Sequence, residues 1–303
     1  MSDIFIEDTA PAPATIKGRS LGEDAWRRLM RNPAAVTSLY VVTILVLIAV
    51  FGPLLWVHDA DVIFRDRVGV PPTWDHMHVL GTDTEGRDMV ARLIGGLGIS
   101  LLVGACATVV ALTIGVAWGA IAGFIGGWLD DLMMRIVDVL YAIPFVFFVI
   151  VLMTVVNVPD PGLKLILVFC AIGAVEWLTM ARIVRGQTIA LRSREFVEAA
   201  RASGAKPLQI VFRHIVPNVL GPVIVFATLN IPVIILAESF LSFIGLGVQE
   251  PLASLGSLIS YGARQMIVAP WMLISPALLM LVTLLALNFL GDGLRDALDP
   301  KER

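Results

Sequence analysis

The sequence predicts an all-α integral membrane protein with six transmembrane helices, and three observations carry that prediction. The 303-residue chain is 57% hydrophobic and 16% charged, with mean hydropathy +0.86, against roughly 25% charged residues in soluble domains. Its apolar residues gather into runs that fit the about 20 residues a helical span requires. Residues 194–218, REFVEAARASGAKPLQIVFRHIVPN, break the pattern as a polar, helix-forming insert of both charge signs that has to sit in water rather than lipid. A net charge of −3 gives no basic footprint for a nucleic-acid partner.

Residues 1–33 read as a polar N-terminal arm with Pro11 and Pro13, followed by a short amphipathic approach through Asp24, Arg27 and Arg28. The arm lacks the basic start, short apolar region and small-residue cleavage site of a signal peptide. The first span covers residues 34–56. A polar segment, 57–94, carries Asp59, Asp61, Asp75, His76, His78, Asp83, Glu85, Arg87 and Asp88. The charge-free stretch 93–129 then holds the second span, at 100–125. Its glycines, among them Gly104, Gly115, Gly119 and Gly123, let helices approach closely where packing replaces the hydrophobic drive.

Asp130, Asp131 and Arg135 mark a tight turn, after which a third span runs through Ile143, Pro144 and Phe145 to about Val156. The link 157–164 holds Pro159, Pro161 and Gly162, which are turn formers. The fourth, fifth and sixth spans fall at 165–180, 219–236 and 271–290. Residues 239–266 are amphiphilic and punctuated by glycine, which suggests a re-entrant or surface-lying loop at the external mouth. Cys106 and Cys170 lie far apart inside apolar runs, neither a disulfide framework nor a metal motif.

Alternating these spans leaves only Arg65, Arg67, Arg87, Arg92, Lys164 and Arg264 on one side of the bilayer, and the rest of the 22 Lys and Arg on the other. The richer side is cytoplasmic by the positive-inside rule. Both termini and the 194–218 insert therefore face the cytoplasm, and 57–94 faces outward.

Within the insert, Ser193 is a candidate N-cap, and Gly204 suits a helix C-terminus in the left-handed conformation. Pro207 fits the first turn of a second short helix, and Pro217 interrupts or bends the chain close to the start of the fifth span. The expectation is two short helices meeting at 204–206, with Phe196 and Val197 as an apolar knob and Glu198 and Arg201 as polar contacts. Ala199, Ala200 and Gly204 permit a partner to approach closely without naming it, so physics alone also admits a plain solvated loop.

Glu176 and Glu238 lie within or at the edges of the fourth and fifth spans, where a charge costs about 2.5–3.5 kcal/mol on insertion scales. Their functional reading is a pathway-lining or proton-relay carboxylate, weighed against an interhelix hydrogen bond or an interfacial position. Asp138 reads as interfacial, paired with Arg135. His58, Asp59 and Asp61 with Asp75, His76 and His78 offer a metal-site pattern too weak to assign ligands, and a hydrated loop touching a partner is the reading preferred.

The motif Glu198-Ala199-Ala200, three residues, Gly204, and then Ile215-Val216-Pro217-Asn218 resembles the EAA loop of permease subunits in bacterial ABC importers, with Val216 where that family usually has Leu. GTDTEGRD at 81–88, FLSFIGLGVQEP at 240–251 and GDGLRDALDP at 291–300 resemble the peptide-transporter branch. Arg27-Arg28 with RNPAA at 31–35, and ARIVRGQT at 181–188, narrow the resemblance to the C-type permease of an oligopeptide importer.

That resemblance implies a permease domain over 95–303 with its coupling-helix loop at 185–218, in the bacterial inner membrane. The implied partners are a homologous B-type permease, two cytoplasmic ABC ATPases, a periplasmic peptide-binding protein and the peptide substrate. It assigns the ATPase-coupling role to Phe196, Val197, Glu198, Ala199, Ala200, Arg201, Gly204, Ala205, Ile215, Pro217 and Asn218. No Gly-Lys dipeptide occurs, hence no Walker A phosphate loop, so ATP and Mg are expected on the partner ATPases and no cofactor or catalysis on this chain. Dipeptide, glutathione and nickel permeases share these motifs. A proton-coupled transporter using Glu176 or Glu238 is the alternative of another class, and it usually shows internal repeats, which are not evident here.

Overall fold

The computed structural model describes residues 21–156 and 160–298; the sequence expectations for 1–20, 157–159 and 299–303 fall outside them. The first helix, α1 (Leu21–Arg31), leads through Asn32 into α2 (Pro33–Leu55). Asn32 caps α2 by accepting from the backbone N–H groups of Ala34 and Ala35, and Pro33 occupies the position where a missing N–H costs nothing. Four further long helical runs succeed it: α3 (Met89–Ile125), α6 (Pro161–Leu191), the run Pro207–Phe243 that ends in α9 (Val216–Phe243), and α11 (Trp271–Leu298). With α2 they make, among the described residues, five helices long and apolar enough to cross a membrane.

A sixth crossing requires α4 (Gly127–Tyr141) and α5 (Phe145–Val155) to act together, and these two are bent by 81°. The continuous third span expected through Pro144 is therefore broken. Proline has no N–H to donate and disfavours helical backbone at the residue before it, so α4 stops at Tyr141 and α5 restarts at Phe145. The expected turn also moves. Gly126 and Gly127, at φ 70° and 60°, reverse the chain, while Asp130, Asp131 and Arg135 lie inside α4.

Two other helices outrun their apolar runs. Asp88 accepts from Ala91 N–H at 2.9 Å and starts α3 inside the segment read as a polar connection. Asp160 caps α6 through Leu163 N–H at 2.8 Å, with Pro161 in its first turn, so part of the expected turn is helix. Caps fix these ends where hydropathy cannot.

The centre of the molecule is the pairing of α3 with α6, flanked by α9, with α2 and α11 packed outside. One apolar cluster joins Val103 and Ala107 of α3 to Val168 and Ile172 of α6 and Ile234 and Leu241 of α9. A second joins Ala120 and Phe124 of α3 to Met180 and Val184 of α6 and to residues of the 194–218 insert. These clusters lie toward opposite ends of α3.

At the Met89 end, residues 57–88 fold over the start of α3, and α10 (Leu255–Arg264) packs against α3, α9 and α11. Ser254 and Ser257 cap α10 reciprocally. Buried Arg87 binds Asp83 at 2.9 Å and Glu250 at 2.9 Å. Burial alone would make the Arg87 guanidinium easier to deprotonate, but the adjacent Asp83 and Glu250 carboxylates outweigh it and hold its pKa above the usual value. Residues 239–266 are thus the end of α9, a connection pinned by Glu250, and a packed helix.

Candidate functional site

The polar insert lies at the Ile125 end of α3, opposite residues 57–88. The chain leaves α6 at Leu191 and forms α7 (Glu195–Ala202), then α8 (Pro207–Ile210). The expected cap at Ser193 is displaced by one residue: Arg194 has the extended cap backbone and makes no side-chain capping bond. Its carbonyl accepts from Val197 and Glu198 N–H. A preceding turn, Arg194 N–H to Leu191 O at 3.0 Å, sets where α7 can begin.

The end of α7 is specified closely. Gly204 adopts φ 78°, and its N–H bonds the Arg201 carbonyl at 2.9 Å while Ala205 N–H bonds the Ala200 carbonyl at 3.1 Å. This pair of bonds is the Schellman arrangement, which places glycine at the left-handed position. Ala200 and Ala205 both pack against the second core cluster, supplying the apolar contact that accompanies such a cap.

Pro207 then opens α8. Pro217 cannot donate to a preceding carbonyl, and the backbone just before it, Val211–Ile215, widens into a π-helical turn. Asn218 Nδ2 donates to the His214 carbonyl at 2.7 Å, satisfying one group near that irregularity.

Burial divides the insert into a root and a face. Val197, Ile210, Val211 and Ile215 are buried together with Phe124, Met180 and Val184. Val197 is therefore not half of an apolar knob. It is the root of α7, and Ile215 is likewise a core residue. Phe196, Glu198, Ala199, Arg201, Ala202, Gly204, Leu208 and Phe212 are exposed, with Leu208 and Phe212 each 53% exposed. Pro217 and Asn218 lie exposed at the start of α9. The Arg201 guanidinium sits 5.1 Å from the centre of the Phe124 ring, so its stem leans back on the core.

Ion pairs tie this region to its neighbours. Arg185 of α6 donates to both oxygens of buried Asp130 at 2.6 and 2.8 Å, a bidentate geometry only arginine supplies. Arg182 bonds Asp138 at 2.8 Å and lies 4.3 Å from the Tyr141 ring centre. Asp138 thus pairs with Arg182 across helices, not with Arg135 on its own. The sequence contained both partners of each pair but nothing to match residues 44 or 55 positions apart.

Breaking the first pair tests its role. Asp130→Asn should lower the melting midpoint of the purified chain by an amount equivalent to about 1–2 kcal/mol. That is below the 1.5–3 kcal/mol of a charged hydrogen bond because Arg185 is partly exposed. The swap Asp130→Arg with Arg185→Asp should recover part of the loss; strictly additive effects would mean that the pair contributes nothing.

The two membrane carboxylates separate. Glu176 accepts from Asn230 Nδ2 at 2.9 Å, joining α6 to α9. Glu238 is fully buried and accepts from Ser242 Oγ at 2.6 Å, and its Oε2 has no hydrogen-bond partner among the described residues. The two therefore have separate partners.

Fold and insert together define a polytopic α-helical membrane protein that presents a rooted two-helix loop to water. The family described as "Binding-protein-dependent transport system inner membrane component" matches residues 115–303, and "N-terminal TM domain of oligopeptide transport permease C" matches residues 20–72. The chain belongs to the former family.

Among curated relatives, the "Oligopeptide transport system permease protein OppC" of Haemophilus influenzae is 49% identical over 301 residues, covering 99% of this chain and 95% of the relative. The protein of the same name from Escherichia coli K12 is 49% identical over 288 residues, covering 95% and 94%. The "Dipeptide transport system permease protein DppC" of Bacillus subtilis is 43% identical over 285 residues, covering 94% and 87%. A solved structure titled "Inward facing conformations of the MetNI methionine ABC transporter: CY5 SeMet soak crystal form" matches with TM-score 0.54 and 19% identity over 68% of this chain and 95% of that one, a likeness of fold.

Proposed function

We propose that this chain is the transmembrane permease subunit of an ATP-driven, binding-protein-dependent oligopeptide importer in a bacterial inner membrane. It forms half of the translocation pathway beside a homologous B-type permease, and a periplasmic peptide-binding protein delivers substrate to the outer face. Two cytoplasmic ATPase subunits bind the ATP and Mg, and α7 and α8 carry their work into the membrane. The observation that carries this reading is the near full-length identity of 49% to relatives named as oligopeptide permeases. The exposed face of α7 with its buried root supports the coupling role.

Switching an alternating-access equilibrium from 1:99 to 99:1 takes about 5.5 kcal/mol of differential binding, and this must pass through an element stiff enough to transmit displacement. Here α7 is fixed at Val197 and at its glycine cap, and α6, which leads into it, is held to α4 by Arg185 and Asp130. Motion of the exposed face therefore drags the ends of α3, α4, α6 and α9 with it.

The test is uptake of labelled peptides of graded length into proteoliposomes holding the complex copurified with this chain. Uptake is expected only with the binding protein and hydrolysable ATP, with dipeptides, glutathione and nickel as weaker competitors. Uptake by this chain alone on a proton gradient would replace the proposal with a secondary transporter.

A further inference from the structure

The sequence scattered six candidate ligands through 57–94; the structure selects a different set. His58 and His78 come together with Asp88, one ligand atom of each lying within 4.8 Å of the other two. Asp59, Asp61 and Asp75 take no part. His76 turns its ring toward the exposed carboxylate of Asp75 at 3.6 Å.

His78 is fully buried, which a hydrated loop does not explain. Its Nδ1 lies 2.9 Å from Asp88 Oδ2, so Nδ1–H donates to the carboxylate and Nε2 carries the lone pair. That Nε2 is buried and has no hydrogen-bond partner among the described residues, a condition that needs a reason in a native interior.

Asp88 is held in turn by Trp56 Nε1 at 3.0 Å and by Ala91 N–H at 2.9 Å, both on Oδ1. A carboxylate fixing one imidazole nitrogen while the other faces a ligand position is the outer arrangement that metal-binding histidines use. His58 supplies the second imidazole, stacked on His78 with ring centres 4.8 Å apart and planes 23° from parallel, so its half-buried ring has to turn before both in-plane lone pairs reach one ion. Its Nε2 lies 2.8 Å from the His76 carbonyl, and because a carbonyl only accepts, Nε2 carries the proton and Nδ1 the lone pair. Phe64 packs edge-on to both rings and forms an apolar wall. His58 is half-buried and gives the route of entry.

We propose that His58 Nδ1 and His78 Nε2 bind a borderline divalent transition-metal ion, such as zinc or cobalt, with Asp88 orienting His78 and lending its charge. Two imidazoles beside a carboxylate suit such ions and not magnesium or calcium, which take oxygen ligands. Trp56 ends α2 and Asp88 begins α3, so the bound ion ties the 57–88 segment to the junction of two membrane helices. This inference is independent of the transport reading.

The probe is cobalt(II) titrated into the full chain, purified in detergent without a polyhistidine tag and followed by visible absorption. About one equivalent per chain is expected, displaced by zinc and unaffected by excess magnesium. His58→Ala and His78→Ala should each weaken binding at least tenfold, while His76→Ala, whose backbone carbonyl is retained, should bind as the parent does. Should His78→Ala fail to fold, half-buried His58→Ala still decides the question, and zinc should raise the melting midpoint of the parent but not of that variant. No saturable binding by the folded parent, or parental binding by His58→Ala, overturns the site.

Discussion

Gly204→Trp is expected to cut peptide uptake at least tenfold while the chain still inserts and the ATPases of the complex still hydrolyse ATP. A Cβ built at Gly204 meets no atom within 4 Å and the residue is exposed, so an indole there is set against whatever approaches the loop rather than against packed neighbours. Its backbone, at φ 78°, charges any L-residue about 1–2 kcal/mol for the left-handed conformation, which confounds a single variant. Gly204→Asn separates the two effects, since Asn visits that conformation readily and is small; it should transport within about twofold of the parent. Glu198→Arg reverses an exposed charge on the same face and should also uncouple hydrolysis from uptake. Parental uptake by Gly204→Trp would remove α7 as the docking element.

How much of this is legible in the sequence depends on the range of the signal. The insert stands out because charge next to apolar runs is a local property, and the positions of Gly204 and Pro207 come from one-residue backbone rules. The cap at Arg194 is missed because Ser193 satisfies the side-chain rule, whereas the turn closed by Leu191 and Arg194 decides the boundary. Val197 is misassigned for a related reason. An eight-residue helix has too few turns for its apolar period to say which side faces the protein, and the burying partners, Met180 and Ile215 among them, come from other elements. The grouping of His58, His78 and Asp88 needs the folded 57–88 segment, whose turns carry no periodicity.

The break at Pro144 shows the opposite error. Hydropathy alone does not divide the charge-free residues 139–156, and requiring a span of full length there overrides the proline rule that argues for a break. Chain-local chemistry is the better guide at that position, as it is for the helix ends set by Asp88 and Asp160.

Gly119→Leu is expected to lower the amount of folded protein more than any substitution on the exposed face of the insert. Gly115, Gly119 and Gly123 lie four residues apart on one side of α3, against α6. A Cβ at Gly119 would come within 2.3 Å of the Ala181 carbonyl oxygen and 2.9 Å of Arg185 N; at Gly123 it would come within 2.7 Å of the Arg185 carbonyl oxygen. These obstacles are backbone, so no side-chain rotation relieves them, and in lipid such close packing is much of what holds helices together. Overpacking of this kind costs about 1–3 kcal/mol, roughly 5- to 150-fold in the folded-to-unfolded ratio. Gly186→Leu on α6 meets open space and should accumulate and melt as the parent does. Displacing α6 at Arg185 also shifts that residue against Asp130, and with it the exit to α7. The fraction of Gly119→Leu that folds should therefore hydrolyse ATP in complex yet transport poorly, reproducing the phenotype of Gly204→Trp from within the membrane. Parental melting and uptake would mean that α3 and α6 adjust to the added side chain and do not fix the loop.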